Sequence, residues 1–149
     1  MISDVEAMQT ALAEAQKAAA EGEVPIGAVV VYGGNLIARG QNRVLRNVDP
    51  TAHAEMVALR EAARTLGNYR LNGCALYVTL EPCAMCAGAM IHARLDRLVF
   101  AAADPKAGAC GSVLSVLNHP QLNHQMQVEQ GILAEEASEL LRNFFRERR

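Results

Sequence analysis

Two cysteines, Cys83 and Cys86, lie three positions apart directly after Thr79-Leu80-Glu81-Pro82. Proline before the pair marks the opening of a helix. Unpaired N–H groups and the positive end of the helix dipole there favour thiolate over thiol. Two thiolates at that spacing can grip one Zn²⁺ from a single turn, and a catalytic zinc takes a third protein ligand and leaves one position open. Pro50-Thr51-Ala52-His53-Ala54-Glu55 supplies the candidate. His53 offers a ring nitrogen. Glu55, two residues on, can handle protons on a metal-bound water without being a ligand. C-x-x-C alone fits a structural zinc site or a redox pair equally well. Glu55 alone fits a helix-start carboxylate, worth about 0.3–1 kcal/mol. His-x-Glu and C-x-x-C in one chain favour catalytic, hydrolytic chemistry.

These residues need a frame that brings them together. Ser3-Asp4-Val5-Glu6 has the form of a capping box, and Val5, Met8 and Leu12 continue at helical spacing, so a helix is expected over about 4–20. Residues 26–32 read as a buried strand, Gly33-Gly34-Asn35 as a turn, and 36–40 as the returning strand. The polar stretch 41–49 leads to the His-Ala-Glu segment. A helix is expected from His53 to about Thr65, with Met56, Leu59 and Ala63 on one face and Gly67 as its stop. Strands follow at 75–80 and 97–102, with a helix of small residues over 84–92 between them. A loop over 104–112, a short helix over 112–118, an edge strand over 127–130 and a final helix through Ala137, Leu140, Leu141, Phe144 and Phe145 complete the pattern. Helices and strands alternate, which predicts α/β layers. With no repeat, linker or low-complexity tract, residues 1–149 are expected to form one domain.

At 149 residues and 51% hydrophobic, the chain can bury a real core. Its net charge of −2 excludes a global basic field. Nucleic-acid binding must therefore use local patches, such as Arg142, Arg146, Arg148 and Arg149 against Glu139 and Glu147. No apolar run reaches membrane-span length, and the acidic N-terminus lacks signal-peptide character, so a cytoplasmic protein is expected. In that setting the cysteines read as metal or catalytic chemistry before disulfides. Cys74 and Cys110 have no partner motif and read as small buried hydrophobes.

The sequence resembles the cytidine deaminase-like superfamily and, within it, the bacterial tRNA-specific adenosine deaminases. The resemblance rests on Glu23 to Val29, Asn42, Asp49 to Glu55, Asn68 to Leu71, Leu76 to Met90, Asp104 to Ser112, and Gly131 to Arg146, and covers nearly the whole chain. It implies a three-layer α/β/α fold around a mixed sheet of about five strands. It implies one Zn²⁺ per subunit held by His53, Cys83 and Cys86, with Glu55 as the proton carrier. Hydroxide from a zinc-bound water attacks C6 of adenine, ammonia leaves, and adenosine becomes inosine. The substrate implied is the wobble base of a tRNA anticodon stem-loop, splayed into a homodimer. Carried over by position, Asn42 and the backbone of Ala54 contact the base, Asp104 and Lys106 line the nucleic-acid channel, and Phe144, Phe145 and Arg148 meet the anticodon loop. Val44 departs from relatives that carry proline there.

Blander readings stand beside several of these roles. Asn42 and Asp104 both suit turns that bond their own backbone. Phe144 and Phe145 fit the core stripe of the last helix. Three other functions share the metal motifs: a free-base or nucleotide deaminase acting on guanine or cytosine compounds, a non-catalytic zinc module, and a subunit active only in a heterodimer.

Overall fold

Ser3 starts the chain's first element as the spacing predicts. Its hydroxyl accepts from the Glu6 N–H at 3.1 Å, and the Glu6 carboxylate accepts from the Ser3 N–H at 3.1 Å. Helix α1, Asp4–Ala20, follows in this computed structural model, which describes residues 1–148. Arg149 lies outside the described residues. Strands β1 (Gly27–Tyr32) and β2 (Asn35–Gln41) form an antiparallel hairpin. Gly33 and Gly34 both have positive φ, the demand of a two-residue turn whose twist matches the strands. Helix α2 (Ala54–Leu66), strand β3 (Cys74–Leu80), helix α3 (Ala84–His92), strand β4 (Arg97–Ala102), strand β5 (Gln127–Gln130) and helix α4 (Ala134–Glu147) complete the fold.

The sheet order is β2-β1-β3-β4-β5. β3 is antiparallel to β1 and parallel to β4, and β4 is parallel to β5. Alternation along the strands sorts side chains between two helical layers. Val29, Val31, Tyr77, Val99 and Ala101 pack with Met8 and Leu12 of α1 and Ala137 of α4. Ala28, Val30, Leu76, Val78, Leu98 and Phe100 pack on the other face with Ala58 and Leu59 of α2 and Met90 of α3. The result is the expected three-layer α/β/α fold. No helix among the described residues is long and apolar enough to cross a membrane.

α2 lies against β2 with no space to spare. A Cβ on Gly40 would overlap the Ala54 carbonyl oxygen and sit 2.7 Å from the Ala58 nitrogen. Gly40→Ala must push away the front of the helix that carries His53 and Glu55. Denaturant unfolding of that variant is expected to show a loss of about 1–3 kcal/mol, the usual scale of overpacking.

The far edge is held by charge. Arg97 donates to Asp4 from Nη2 (2.8 Å) and Nη1 (2.9 Å), and to Glu129 from Nη2 (2.7 Å) and Nε (3.0 Å). The Tyr77 hydroxyl donates to Asp4 at 2.6 Å. Hydrogen bonds from Arg97 first, then Tyr77, hold the Asp4 carboxyl down at about 2, against an ordinary 3.8. A lowered carboxyl stabilises the fold above its unfolded value and loses that contribution as pH falls through its folded value. Stability measured by denaturant from about pH 5 down to about pH 2 should therefore decline more steeply in the parent than in Asp4→Asn.

One expected element does not form. The short helix over 112–118 is replaced by turns and an isolated antiparallel bridge between Cys110 and Ser115. The Val113 and Leu114 N–H groups reach back to the Gly108 carbonyl, and Val116 reaches Ala109. Val113 and Leu114 are exposed, so their apolar spacing buries no face.

Candidate active site

Strand β3 delivers the chain into Pro82-Cys83, and α3 begins immediately. Cys83 is the N-cap of α3 in extended conformation, and Cys86 lies in its first turn. His53 is the N-cap of α2, also extended. Neither cap side chain makes the usual capping hydrogen bond to its helix, and each faces the other helix. His53 Nδ1 lies 3.6 Å from Cys83 Sγ and 3.6 Å from Cys86 Sγ. All three donor atoms fall within 4.8 Å of one another. A tetrahedral zinc with Zn–S of about 2.3 Å and Zn–N of about 2.0–2.1 Å places nitrogen and sulfur about 3.6 Å apart. The donor set and its spacing fit one Zn²⁺.

The three donors also share charge. Hydrogen bonds from Cys86 and then His53 pull the Cys83 thiol down to about 3. Cys86 is pushed up, first by that same bond to Cys83 and then by burial. His53 is raised, chiefly by Cys83. Cys83 is thus the thiol favoured as thiolate, and Cys86 must give up its proton when a cation binds. Beside them Glu55, in the first turn of α2, is only 4% exposed. Burial raises its carboxyl to about 7, where a group can both take and give protons near neutrality.

The other expected site residues fall into two groups. Asn42 is buried beside the entry to α2. Its Oδ1 accepts from the Val44 N–H at 3.2 Å, and its Nδ2 donates to the Val24 carbonyl at 3.4 Å, so the turn role is realised. Ala54 is the buried first residue of α2, where backbone N–H groups lack intrahelical partners. Asp104 caps its own loop by accepting from the N–H groups of Lys106 (3.0 Å) and Ala107 (3.3 Å). Lys106 is exposed. Asp104, Lys106, Arg142, Phe145 and Arg146 share a groove of about 650 Å³ beyond the end of β3. Phe144 and Phe145 part company: Phe144 is buried, whereas Phe145 is 47% exposed and lines the groove. The core-stripe reading thus holds for Phe144 and is corrected for Phe145. Arg148 folds back to place its guanidinium 3.5 Å over the Phe144 ring.

Two buried carboxylates escaped the sequence reading of the site. Glu23 accepts from the N–H groups of Leu45 (3.0 Å) and Arg46 (2.9 Å) and from the Arg46 guanidinium (3.0 Å). It fixes the loop that carries Asn42. Glu81 does the same for the loop that carries Asp104. The available signal was position, since each acid lies within a stretch that carries the family resemblance, Glu23 shortly before β1 and Glu81 directly after β3.

The MafB19-like deaminase family matches residues 2–149. A Haemophilus influenzae protein named tRNA-specific adenosine deaminase is 50% identical over 147 residues, covering 98% of this chain and 85% of the relative. A structure solved in biochemical and structural studies of A-to-I editing by tRNA:A34 deaminases at the wobble position of transfer RNA superposes with a TM-score of 0.88. It is 47% identical, covering 91% of this chain and 98% of that one. A guanine deaminase from Nitrosomonas europaea gives a TM-score of 0.80 at 28% identity, covering 97% and 85%. Fold, donor trio and these matches together define a hydrolytic enzyme of the deaminase class. Within that class, the chain belongs to the family of the tRNA-specific adenosine deaminases.

Proposed function

We propose that this chain converts adenosine to inosine at the wobble position of a tRNA anticodon. The reaction reading is carried by one observation: His53 Nδ1 at 3.6 Å from both Cys83 and Cys86, with the buried Glu55 carboxyl in the same helical turn. His53, Cys83 and Cys86 would hold Zn²⁺, which when bound acidifies water and polarises the reacting centre. Glu55 takes a proton from the attacking water and delivers one to the ring nitrogen beside C6. It then takes the remaining hydroxyl proton of the C6 adduct and passes it to the departing amine, which leaves the C6 carbonyl. Water and adenosine become inosine and ammonia. The Ala54 N–H and the Asn42 amide orient the inserted base. An already unstacked loop base costs little to extrude, which favours an anticodon over a duplex.

Asp104, Lys106, Phe145 and Arg148 are assigned to the anticodon loop. The groove at Lys106, Arg142, Phe145 and Arg146 supports this with cations for phosphates and one exposed ring for stacking. Phe144 is assigned instead to anchoring α4. The working unit is a homodimer of single deaminase domains, 1–149, in the cytoplasm. An apolar groove at Met56, Leu59, Ala63 and Ala89, on the outer face of α2 and α3, supports the pairing. The likeness to a guanine deaminase favours a second reading, free-base deamination.

The test is incubation of zinc-loaded protein with an anticodon stem-loop carrying adenosine at the wobble position, with inosine read by mass. Free guanine, cytidine and adenosine run in parallel. Conversion of the stem-loop is expected. Turnover of a free compound without the stem-loop would establish the second reading instead.

A further inference from the structure

Glu81 closes off β3 and stands two residues before the first metal-donor cysteine. It is 3% exposed. Both its oxygens face the loop 104–112. Oε1 accepts from the Asp104 N–H at 3.0 Å and from the Ser112 hydroxyl. Oε2 accepts from the N–H groups of Cys110 (2.9 Å) and Ser112 (3.1 Å). Gly108 presses its backbone onto the same carboxylate, where any Cβ would overlap both oxygens. The chain around Glu81 joins in: its own N–H donates to the Ala102 carbonyl at 2.8 Å, and the Pro82 carbonyl accepts from the Ala109 N–H at 2.8 Å. The loop is therefore wrapped around residues 81–82, and the next residue is Cys83.

We infer that Glu81 is a positioning residue that registers the substrate-facing loop 104–112 against the metal turn. Asp104 and Lys106 then meet the RNA at a fixed offset from the reacting base. The inference rests on the assignment of that loop to RNA contact. Only a carboxylate fits the role, because both oxygens must accept. An amide would turn an NH₂ against N–H donors in a buried place. Unmet buried donors are costly, and the loop would relax to find water.

The test uses zinc-loaded Glu81→Gln and, in case that variant folds poorly, Ser112→Ala at an exposed position. Three readouts are taken: zinc per chain, KM and kcat on the stem-loop, and amide exchange without substrate. In Glu81→Gln, KM should rise by about tenfold or more, the scale of one unmet buried donor, with a smaller change in kcat. Exchange at Asp104, Cys110 and Ser112 should accelerate while β3 and β4 stay protected and zinc is retained. Ser112→Ala should move the same quantities in the same direction by less. Unchanged KM and unchanged loop exchange in both variants would overturn the inference. So would loss of zinc with KM unaltered, since Glu81 would then serve the metal turn alone. If the parent protein leaves the stem-loop untouched, the RNA assignment fails, and the exchange arm still decides whether Glu81 orders the loop.

Discussion

Glu55→Gln lowers kcat by about 100- to 10,000-fold, the span that a positioned proton carrier contributes. Its metal content and fold stay as in the parent. The side chain is 4% exposed, so an isosteric amide occupies the same space with the same packing. What disappears is the proton. A carboxyl raised to about 7 by burial exchanges protons readily near neutrality, and an amide does not. Single-turnover kinetics on the stem-loop, with zinc measured on the same sample, read this out. Parent-like turnover in the variant would assign the proton transfers elsewhere and would revive the non-catalytic zinc module.

Cys86→Ala is expected to strip the metal and all activity with it. Cys86 is fully buried, and its sulfur is one of three donor atoms within 4.8 Å. Two remaining donors cannot complete a tetrahedral site on their own. Zinc per chain should fall to a small fraction of the parent's after dialysis. Tm should fall as well, because binding free energy to the folded state is also folding free energy. Cys110→Ala removes a thiol outside the trio and should keep its zinc. Retention of a full equivalent by Cys86→Ala would show that the donor set is drawn wrongly.

The chemistry of this chain was more legible than its periphery. Cys83-x-x-Cys86 and His53-x-Glu55 are local patterns whose spacing already constrains geometry, and both fell at helix starts as expected. The strands and long helices were legible for a similar reason, since their periodicity is written residue by residue. The loops were not. The short helix expected over 112–118 does not form. The backbone there is instead organised by Glu81 and by the Gly108 and Ala109 carbonyls, through hydrogen bonds that no local pattern announces. Glu81 binds partners 23 to 31 positions away. Phe144 and Phe145 show the same limit on a helix. Neighbours sit about 100° apart around the axis, so both cannot face one core, and only packing decides which does.

Arg97 bears on how the chain is made. Its guanidinium joins Asp4, at the head of the first helix, to Glu129, in the last strand. During synthesis the early partner is long since available when Arg97 emerges, and the late one is not. Until about residue 130 is out, β4 is an uncovered edge carrying Leu98 and Phe100, with half of its arginine fork unfilled. Open apolar edges are where nascent chains pair wrongly. The short β5, with Glu129 at its centre, is thus the piece that ends this vulnerable interval by covering β4 and filling the other half of the arginine fork.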